Sequence, residues 1–305
     1  KESLSNEVVL RAKERKRQVE VLLSYGETSG YVKGTPRFNV PESIRPKGSF
    51  LSILDIESLD GDFSGTLNAV RCWGEGVFSL ELLSPAAMRR GARGSQTDIG
   101  PRGELLGGFL ASLNASQKNR LLKRLQQFYP LKGLDALRKK AGWIDLRIAE
   151  DYSFIGSINA THMSDGFMRL LGLASIPEFG NEASLVLLDE IEDGIEPHIL
   201  PDFVKLIARE SSAQLILTSH SPILVNSFEP EEISFLARND EGRTISAGFD
   251  EIANLSGDLE YLGPGELWTH TNLDSIKSWV MQINEKRYQT VVAEQSSKTP
   301  RSDTF

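Results

Sequence analysis

The chain has 305 residues, 40% of them hydrophobic and 25% charged, enough to bury one large core or two modest ones. Its 42 acidic and 34 basic residues give a net charge of -8, which excludes a chain that is basic throughout and holds nucleic acid by bulk charge alone. The single cysteine, Cys72, excludes an intramolecular disulfide framework and suits a reducing cytosol, and no apolar stretch reaches the roughly 18 residues of a membrane span.

Lys1 to Arg17 is charged and carries no apolar signal segment. With no initiator Met, the chain is expected to begin inside a longer protein. Val19, Val21 and Leu23 alternate before the Gly26–Gly30 turn residues, predicting strand, turn and strand over 18–34. Residues 35–50, with Pro36, Pro41 and Pro46, read as a loop, and mixed short strands are predicted from Phe50 to about Leu83. Residues 84–104 form a basic, glycine-containing loop. Helices follow over Glu104–Leu113 and Ser116–Phe128, the second with Leu121, Leu122, Leu125 and Phe128 at helical spacing and Pro130 beyond it. Trp143–Glu150 alternates as a half-buried strand.

Beyond residue 160 the pattern is α/β. Leu185–Leu188 is an apolar run ending in two carboxylates, Ile199, Phe203, Leu206 and Ile207 mark an amphipathic helix, and Leu215–Leu217 is a second apolar run ending in Thr218-Ser219-His220. Two apolar strands joined by one helix predict a right-handed parallel crossover buried on both faces. Ile233–Ala237 and Thr244–Ala247, joined through Asn239-Asp240-Glu241-Gly242, predict a hairpin. A last helix carries Leu273, Ile276, Trp279, Val280 and Ile283, and the chain from about Glu285 is polar and expected to fray.

Three patterns carry chemistry, and each also has a plainer reading. Leu185-Val186-Leu187-Leu188-Asp189-Glu190 delivers two acids at the carboxyl end of a strand, where α/β sheets bind ligands; the plain reading is a strand end with a capping acid. Thr218-Ser219-His220-Ser221-Pro222 places a histidine at the next strand end, within reach of a phosphate or a water, or simply before a Pro-terminated turn. His162-Met163-Ser164-Asp165-Gly166-Phe167 is a capped helix start whose free N–H groups and serine hydroxyl suit a phosphate, with Gly166 allowing close backbone approach.

Order and spacing bind the three together: capped helix first, acidic strand about 25 residues later, histidine strand about 30 residues after that. In that order they resemble the second half of an ABC-class ATPase of the SMC/RecF-like kind found in prokaryotic defence and repair. Met163-Ser164-Asp165-Gly166-Phe167 is similar to the signature motif, Leu185–Glu190 to Walker B, Glu192-Asp193-Gly194-Ile195 to the D-loop, and His220 to the switch histidine. Gly265-Glu266-Leu267-Trp268 resembles the Gly-Glu-Leu-Trp ending of the same family. The resemblance covers 103–270 well and 1–102 loosely. Ile191, where the family has Pro, and Glu196-Pro197, where it has His-Pro, depart from the pattern.

The resemblance implies the C-terminal part of an ABC-type ATPase head, with a parallel-strand core, a helical subdomain and peripheral β-hairpins. Expected boundaries are 1–102 for a β/loop region continuing from a missing lobe, 103–150 for the helical subdomain, 151–270 for the signature, Walker B and switch lobe, and 271–305 for a helix and polar tail. It implies ATP and Mg²⁺ as cofactors and hydrolysis of ATP to ADP and phosphate, with Asp189 on Mg²⁺, Glu190 as general base and His220 at the γ-phosphate. Ser164, Asp165 and Gly166, with Asp193, would face the nucleotide of a second copy, so that ATP joins a homodimer or higher homo-oligomer.

No segment fits the phosphate loop G-x-x-x-x-G-K-[ST]: Lys33 is followed by Gly34 and Thr35, and Gly61–Gly65 has no lysine. The implied Walker A lobe therefore lies outside this chain, which is expected to bind ATP poorly and to be inactive by itself. Among the 85 residues after His220 none forms Asp-x-Asp, so a nuclease or toxin effector is expected on a partner, and His162, His198 and His270 show no zinc spacing with Cys72. Arg89, Arg90, Arg93, Lys118, Arg120, Lys123, Arg124, Arg138, Lys139 and Lys140 make either a solvated face or a phosphate-tracking surface for nucleic acid. The expected protein is a cytoplasmic ATP-dependent switch without a membrane partner; the alternatives are a non-catalytic scaffold with this fold and a transporter ATPase, the latter opposed by Ser164-Asp165-Gly166 where transporters have Ser-Gly-Gly.

Overall fold

The computed structural model describes residues 6–14, 17–25, 29–32, 38–39, 71–81, 83–90, 93–152, 156–180, 183–256 and 263–297. The chain divides into two compact units, 1–78 with 181–185, and 79–180 with 186–305.

The first unit holds a four-stranded sheet, β1 (Asn6–Glu14), β2 (Arg17–Tyr25), β3 (Ser29–Val32) and β4 (Phe38–Asn39), in sequential order. The predicted strand pair over 18–34 is β2 and β3, antiparallel with Val21 opposite Val32 and Leu23 opposite Gly30. Sequence reading missed β1, which pairs antiparallel with β2 over its whole length, Leu10 opposite Val21 and Glu14 opposite Arg17. Of the loop predicted over 35–50 only β4 is described, and residues 50–70 of the mixed strands lie outside the described residues.

A parallel three-stranded sheet has the order β10-β9-β5, where β5 is Val77–Leu80, β9 is Leu185–Leu188 and β10 is Gln214–Leu217. The predicted parallel strand–helix–strand connection is present: α5 (Leu200–Glu210) joins β9 to β10 and buries Leu200, Phe203, Val204, Leu206 and Ile207. Its burial on both faces holds for β9 but not for β10. β10 is an edge strand with Gln214 and Ile216 turned outward, and Ile216 remains 50% exposed. An edge strand has a neighbour on one side only, so α5 can cover one face while the other stays bare among the described residues.

The basic loop predicted over 84–104 contains a short helix, α1 (Pro85–Met88), capped by Ser84. The two predicted helices are α2 (Leu106–Ser112) and α3 (Ala115–Gln126); Asn114 caps α3 in a reciprocal box with Gln117. The strand predicted over Trp143–Glu150 is β7 (Ile144–Glu150), and it pairs antiparallel with β6 (Leu131–Arg138), which sequence reading left unassigned, and with β8 (Ser157–Asn159). Next comes α4 (Asp165–Ala174), whose Phe167, Met168, Leu170, Leu171 and Leu173 are buried.

α3 packs on α4 and buries Leu121 and Leu125, and a buried polar lock ties it to the end of α4. Arg124, grouped above with the basic surface, is buried: its guanidinium donates to the Ala174 carbonyl oxygen at 2.5 Å and to Glu178 Oε1 at 3.1 Å, and pairs with Glu210 at 2.7 Å. Arg120 donates to both oxygens of the same Glu178, at 3.2 and 2.5 Å. Tyr129 packs on Phe167 with ring centroids 4.8 Å apart, and its hydroxyl donates to Glu150 Oε1 at 2.6 Å.

The C-terminal part builds its own core. The predicted hairpin is β11 (Ser234–Arg238) with β12 (Thr244–Gly248), its turn closed by Asn239 Oδ1, which accepts from the Glu241 and Arg243 amides. Phe235, Phe249, Ile252, Leu267, Ile276, Val280 and Ile283 form one cluster drawn from the hairpin and from α7 (Phe249–Ser256), α8 (Pro264–His270) and α9 (Leu273–Ser297). Instead of fraying from Glu285, α9 runs unbroken to Ser297. The stretch has no Gly or Pro, Asn284 donates to the Ser246 carbonyl at 2.8 Å, and Arg287 pairs with Glu251 at 2.5 Å.

Arg124→Ala leaves the buried Glu178 carboxylate short of its partner and is expected to cost about 3–5 kcal/mol by urea unfolding. The Tyr129 hydroxyl is pushed up to about 12, first by burial and then by its bond to Glu150. A raised pKa means that this contribution is complete below the unfolded value near 10 and is lost as pH rises toward about 12. Tyr129→Phe should therefore flatten the alkaline limb of stability between those values, read by thermal melting against pH.

Candidate functional site

The carboxyl ends of β9 and β10 lie side by side, so the two sequence patterns that end them meet. Thr218 is the hinge of that meeting. Its hydroxyl donates to Asp189 Oδ1 at 2.5 Å and accepts from the Glu190 amide at 3.0 Å. Its backbone takes part as well, with Thr218 N donating to the Leu188 oxygen at 2.9 Å and Thr218 O accepting from Ile191 N at 3.2 Å. In the sequence Thr218 stands only as lead-in to His220, and its position at a strand end was the sole signal of this task.

Asp189 and Glu190 are exposed at this strand end. Glu190 adopts φ 47, a left-handed backbone that non-glycine residues rarely take, and such strain persists only where neighbours over-determine it. The amide bond to Thr218 is one such neighbour. Glu192 is the second link between the strands: its Oε1 accepts from the His220 amide at 2.6 Å, while Oε2 is buried without a hydrogen-bond partner among the described residues. The His220 ring is exposed and makes no hydrogen bond among the described residues. Downstream, Ser221 caps the short helix α6 (Pro222–Val225).

α4 enters from the other side. The Ser164 hydroxyl accepts from the Phe167 amide at 3.2 Å, the expected cap. Asp165 pairs with Arg89 at 2.5 Å, and the same Arg89 nitrogen donates to the Met163 oxygen at 2.6 Å, so an arginine from the end of α1 pins the helix start. Gly166 faces inward: a Cβ there would lie 2.5 Å from the Gly194 carbonyl oxygen. The absent side chain thus serves a contact within the chain, between the helix start and the 190–195 loop. Gly194 has φ +65, and Arg169 closes the same contact by pairing with Asp193 while donating to the Leu83 oxygen at 3.2 Å. Arg89, grouped above with the basic surface, instead holds this helix start, and sequence reading passed over Arg169, because nothing local marks a residue whose partner is 76 or 24 positions away.

The structure therefore joins Asp189, Glu190, Asp193, Gly166 and the His220 backbone into one constellation through Thr218, Glu192 and Arg169. It places Ser164 and Asp165 at the adjacent helix start, with no direct bond from either to Asp189 or Glu190 among the described residues. A cavity of about 20 Å³, room for about one water, is lined by Glu81, Arg169, Asp189, Glu190 and Asp193 among others. Among the described residues no cluster of three His, Cys, Asp or Glu could hold a metal. Mg²⁺ usually takes only one or two protein carboxylates and completes its shell with phosphates and water. Exposed Asp189, steadied by a hydroxyl, is a donor of that kind.

The C-terminal Gly265-Glu266-Leu267-Trp268 supports the site from behind. Gly265 lies directly against the Pro222 carbonyl and its amide donates to Asn226 Oδ1 at 2.6 Å, so α8 braces α6, the helix after His220. Glu266 accepts from the Gly263 amide at 3.0 Å, and Trp268 stacks on Phe235 at 5.5 Å.

Residues 77–226 match the family model described as AAA domain, putative AbiEii toxin, Type IV TA system. The match stops short of the Gly265–Trp268 ending. Among solved structures, a chain described under structural biochemistry of ATP-driven dimerization and DNA stimulated activation of SMC ATPases aligns at 15% identity over 48% of this chain and 92% of that one, with a TM-score of 0.35. An Smc head domain with coiled coil and joint from Pyrococcus yayanosii aligns at 15% identity over 47% of this chain and 29% of that one, with a TM-score of 0.36. An SmcHead bound to the C-winged helix domain of ScpA aligns at 11% identity over 77% and 70%, with a TM-score of 0.48. No curated protein matches the sequence at a significant level.

Gly166→Ala should destabilise the second unit by about 1–3 kcal/mol in urea unfolding, because the added methyl meets backbone that cannot rotate away. A variant as stable as the parent would show that the 190–195 loop yields freely.

Proposed function

We propose that this chain, whose residues 77–226 have the fold of an AAA/ABC-type ATPase of the SMC/RecF-like kind, is the hydrolytic and dimer-facing part of an ATP-dependent switch. The observation that carries the proposal is the Thr218 junction, which holds both acids of β9 and the histidine end of β10 in one rigid group. In this reading Asp189 takes Mg²⁺, the metal that neutralises charge developing on the phosphates. Glu190, exposed beside it, accepts a proton from the attacking water. His220, its backbone held by Glu192, meets the γ-phosphate.

Ser164, Asp165 and Gly166 sit at a helix N-terminus, where free amides and the helix dipole favour an anion. In the proposal this end faces the nucleotide of a second copy, and Asp193 lies at the same interface. Arg169 ties Asp193 to α4, so signature helix and D-loop move as one body. The phosphate-binding loop is supplied by residues outside this sequence, and the chain alone turns over little ATP. The assembled protein cycles between an ATP-joined dimer and separated copies, and that cycle gates a nucleic-acid-related partner in anti-phage defence or DNA repair in the cytoplasm.

The test uses protein carrying its upstream residues. Glu190→Gln should lower ATP turnover at least about a hundredfold, the scale of a lost general base. On the same variant, mass in solution should rise on adding ATP and Mg²⁺. Equal turnover would remove Glu190 from the reaction, and an unchanged mass would remove the ATP-joined dimer.

A further inference from the structure

Two stretches 50 positions apart meet at the turn between β6 and β7. Arg93 forms an antiparallel bridge with Trp143, and the Gly94 amide donates to the Gly142 oxygen at 3.3 Å. The Lys139 amide closes the turn onto the Trp143 oxygen at 2.6 Å. The Arg93 guanidinium lies 4.6 Å from the Trp143 ring centroid, a cation–π distance. Trp143 nonetheless stays 43% exposed, as does the neighbouring Leu137. Gly94 and Gly142 have φ 73 and 76, and a Cβ on either would meet no atom within 4 Å, so the backbone here is open to an incoming group.

Charge is sorted in the same place. Arg93, Arg138 and Lys139 are exposed. Lys139 is neutralised by Asp145 at 2.8 Å, whereas Arg138 donates to the uncharged Ser95 hydroxyl at 2.9 Å. Among the described residues no carboxylate pairs with Arg93 or Arg138. By contrast, Arg120 and Arg124 are held by Glu178, Arg89 by Asp165 and Arg169 by Asp193. Two guanidiniums without a carboxylate, Arg93 over the Trp143 indole and Arg138 on Ser95, meet at this turn on a chain of net charge -8 and are a local exception to its electrostatics.

We propose that the β6–β7 turn and residues 93–95 bind single-stranded nucleic acid, with the Arg93 and Arg138 guanidiniums on backbone phosphates and an unpaired base stacked at Trp143. Phosphates match the free positive charge, and every base has a flat face for an aromatic platform. A duplex hides its base faces and would engage the charges alone. The surface shares no residue with the candidate nucleotide site, so its test needs no ATP and stands whether or not the ATPase reading does.

Labelled oligothymidylate and oligouridylate are titrated with the full chain at low and high salt and followed by anisotropy. Binding is expected to weaken with salt and to exceed that of a matching duplex, the two oligomers showing whether DNA or RNA is preferred. Trp143→Ala should weaken binding about tenfold, with Trp143→Phe restoring most of it. Arg93→Ala with Arg138→Ala, two exposed changes, should lower the salt slope by about 0.7 for each phosphate no longer neutralised. Circular dichroism confirms the fold of each variant. Binding that is absent, equal for the duplex, displaced as well by polyglutamate as by unlabelled oligomer, or unmoved by the arginine pair would overturn the proposal.

Discussion

The Thr218 hydroxyl donates a hydrogen bond to Asp189 and accepts one from the Glu190 amide, and the candidate site is built around that pair of bonds. Two strands of a parallel sheet share hydrogen bonds only as far as their backbones run together; past that point each end is free to wander. Here a side chain from one strand carries the pairing two residues beyond the other. It orients a carboxylate and supports a backbone at φ 47 that would otherwise relax. Glu192 repeats the device in the opposite direction, reaching from the loop after β9 to the amide of His220. The acids and the histidine are thereby coupled without touching one another.

The 190–195 loop is shared property. Its Gly194 carbonyl fills the space that a side chain on Gly166 would need, and its Asp193 is held by Arg169 of α4. α4 is fixed in turn by Arg124 and Glu178 at its far end and by Tyr129 on Phe167 near its start. A displacement at the strand ends therefore meets α4 through a rigid glycine contact, and a displacement of α4 meets the strand ends the same way. Tight coupling of that kind is what the proposed nucleotide switch would draw on.

Much of the site was legible in the sequence because its parts are local. A serine before an apolar helix, two acids after an apolar run and a histidine at the next strand end all declare themselves over six residues, and each lies where that reading puts it. What was not legible depends on distance. Arg124 sits among lysines on a helix that reads as a basic face, yet Glu178 and Glu210 draw it into the core. β1 escaped notice although Val8, Leu10 and Ala12 alternate with Glu7, Arg11 and Lys13, because a segment as charged as Lys1–Arg17 reads first for its charge. β10 reads as a buried strand, but burial belongs to the strand's place in the sheet, and β10 is at the edge. The Gly-Glu-Leu-Trp ending could be recognised and still not explained until Gly265 was seen against Pro222.

The most direct test of the account is a double-mutant cycle on Mg²⁺–nucleotide affinity, with Thr218→Val and Asp189→Asn made singly and together in protein that carries its upstream residues. If the Thr218 hydroxyl acts through the Asp189 carboxylate, the two losses will fall short of adding by about 1 kcal/mol or more, the coupling expected of residues in one hydrogen-bond network. Strictly additive losses would mean that the two residues act independently, and that the junction between the strand ends is not what organises the site.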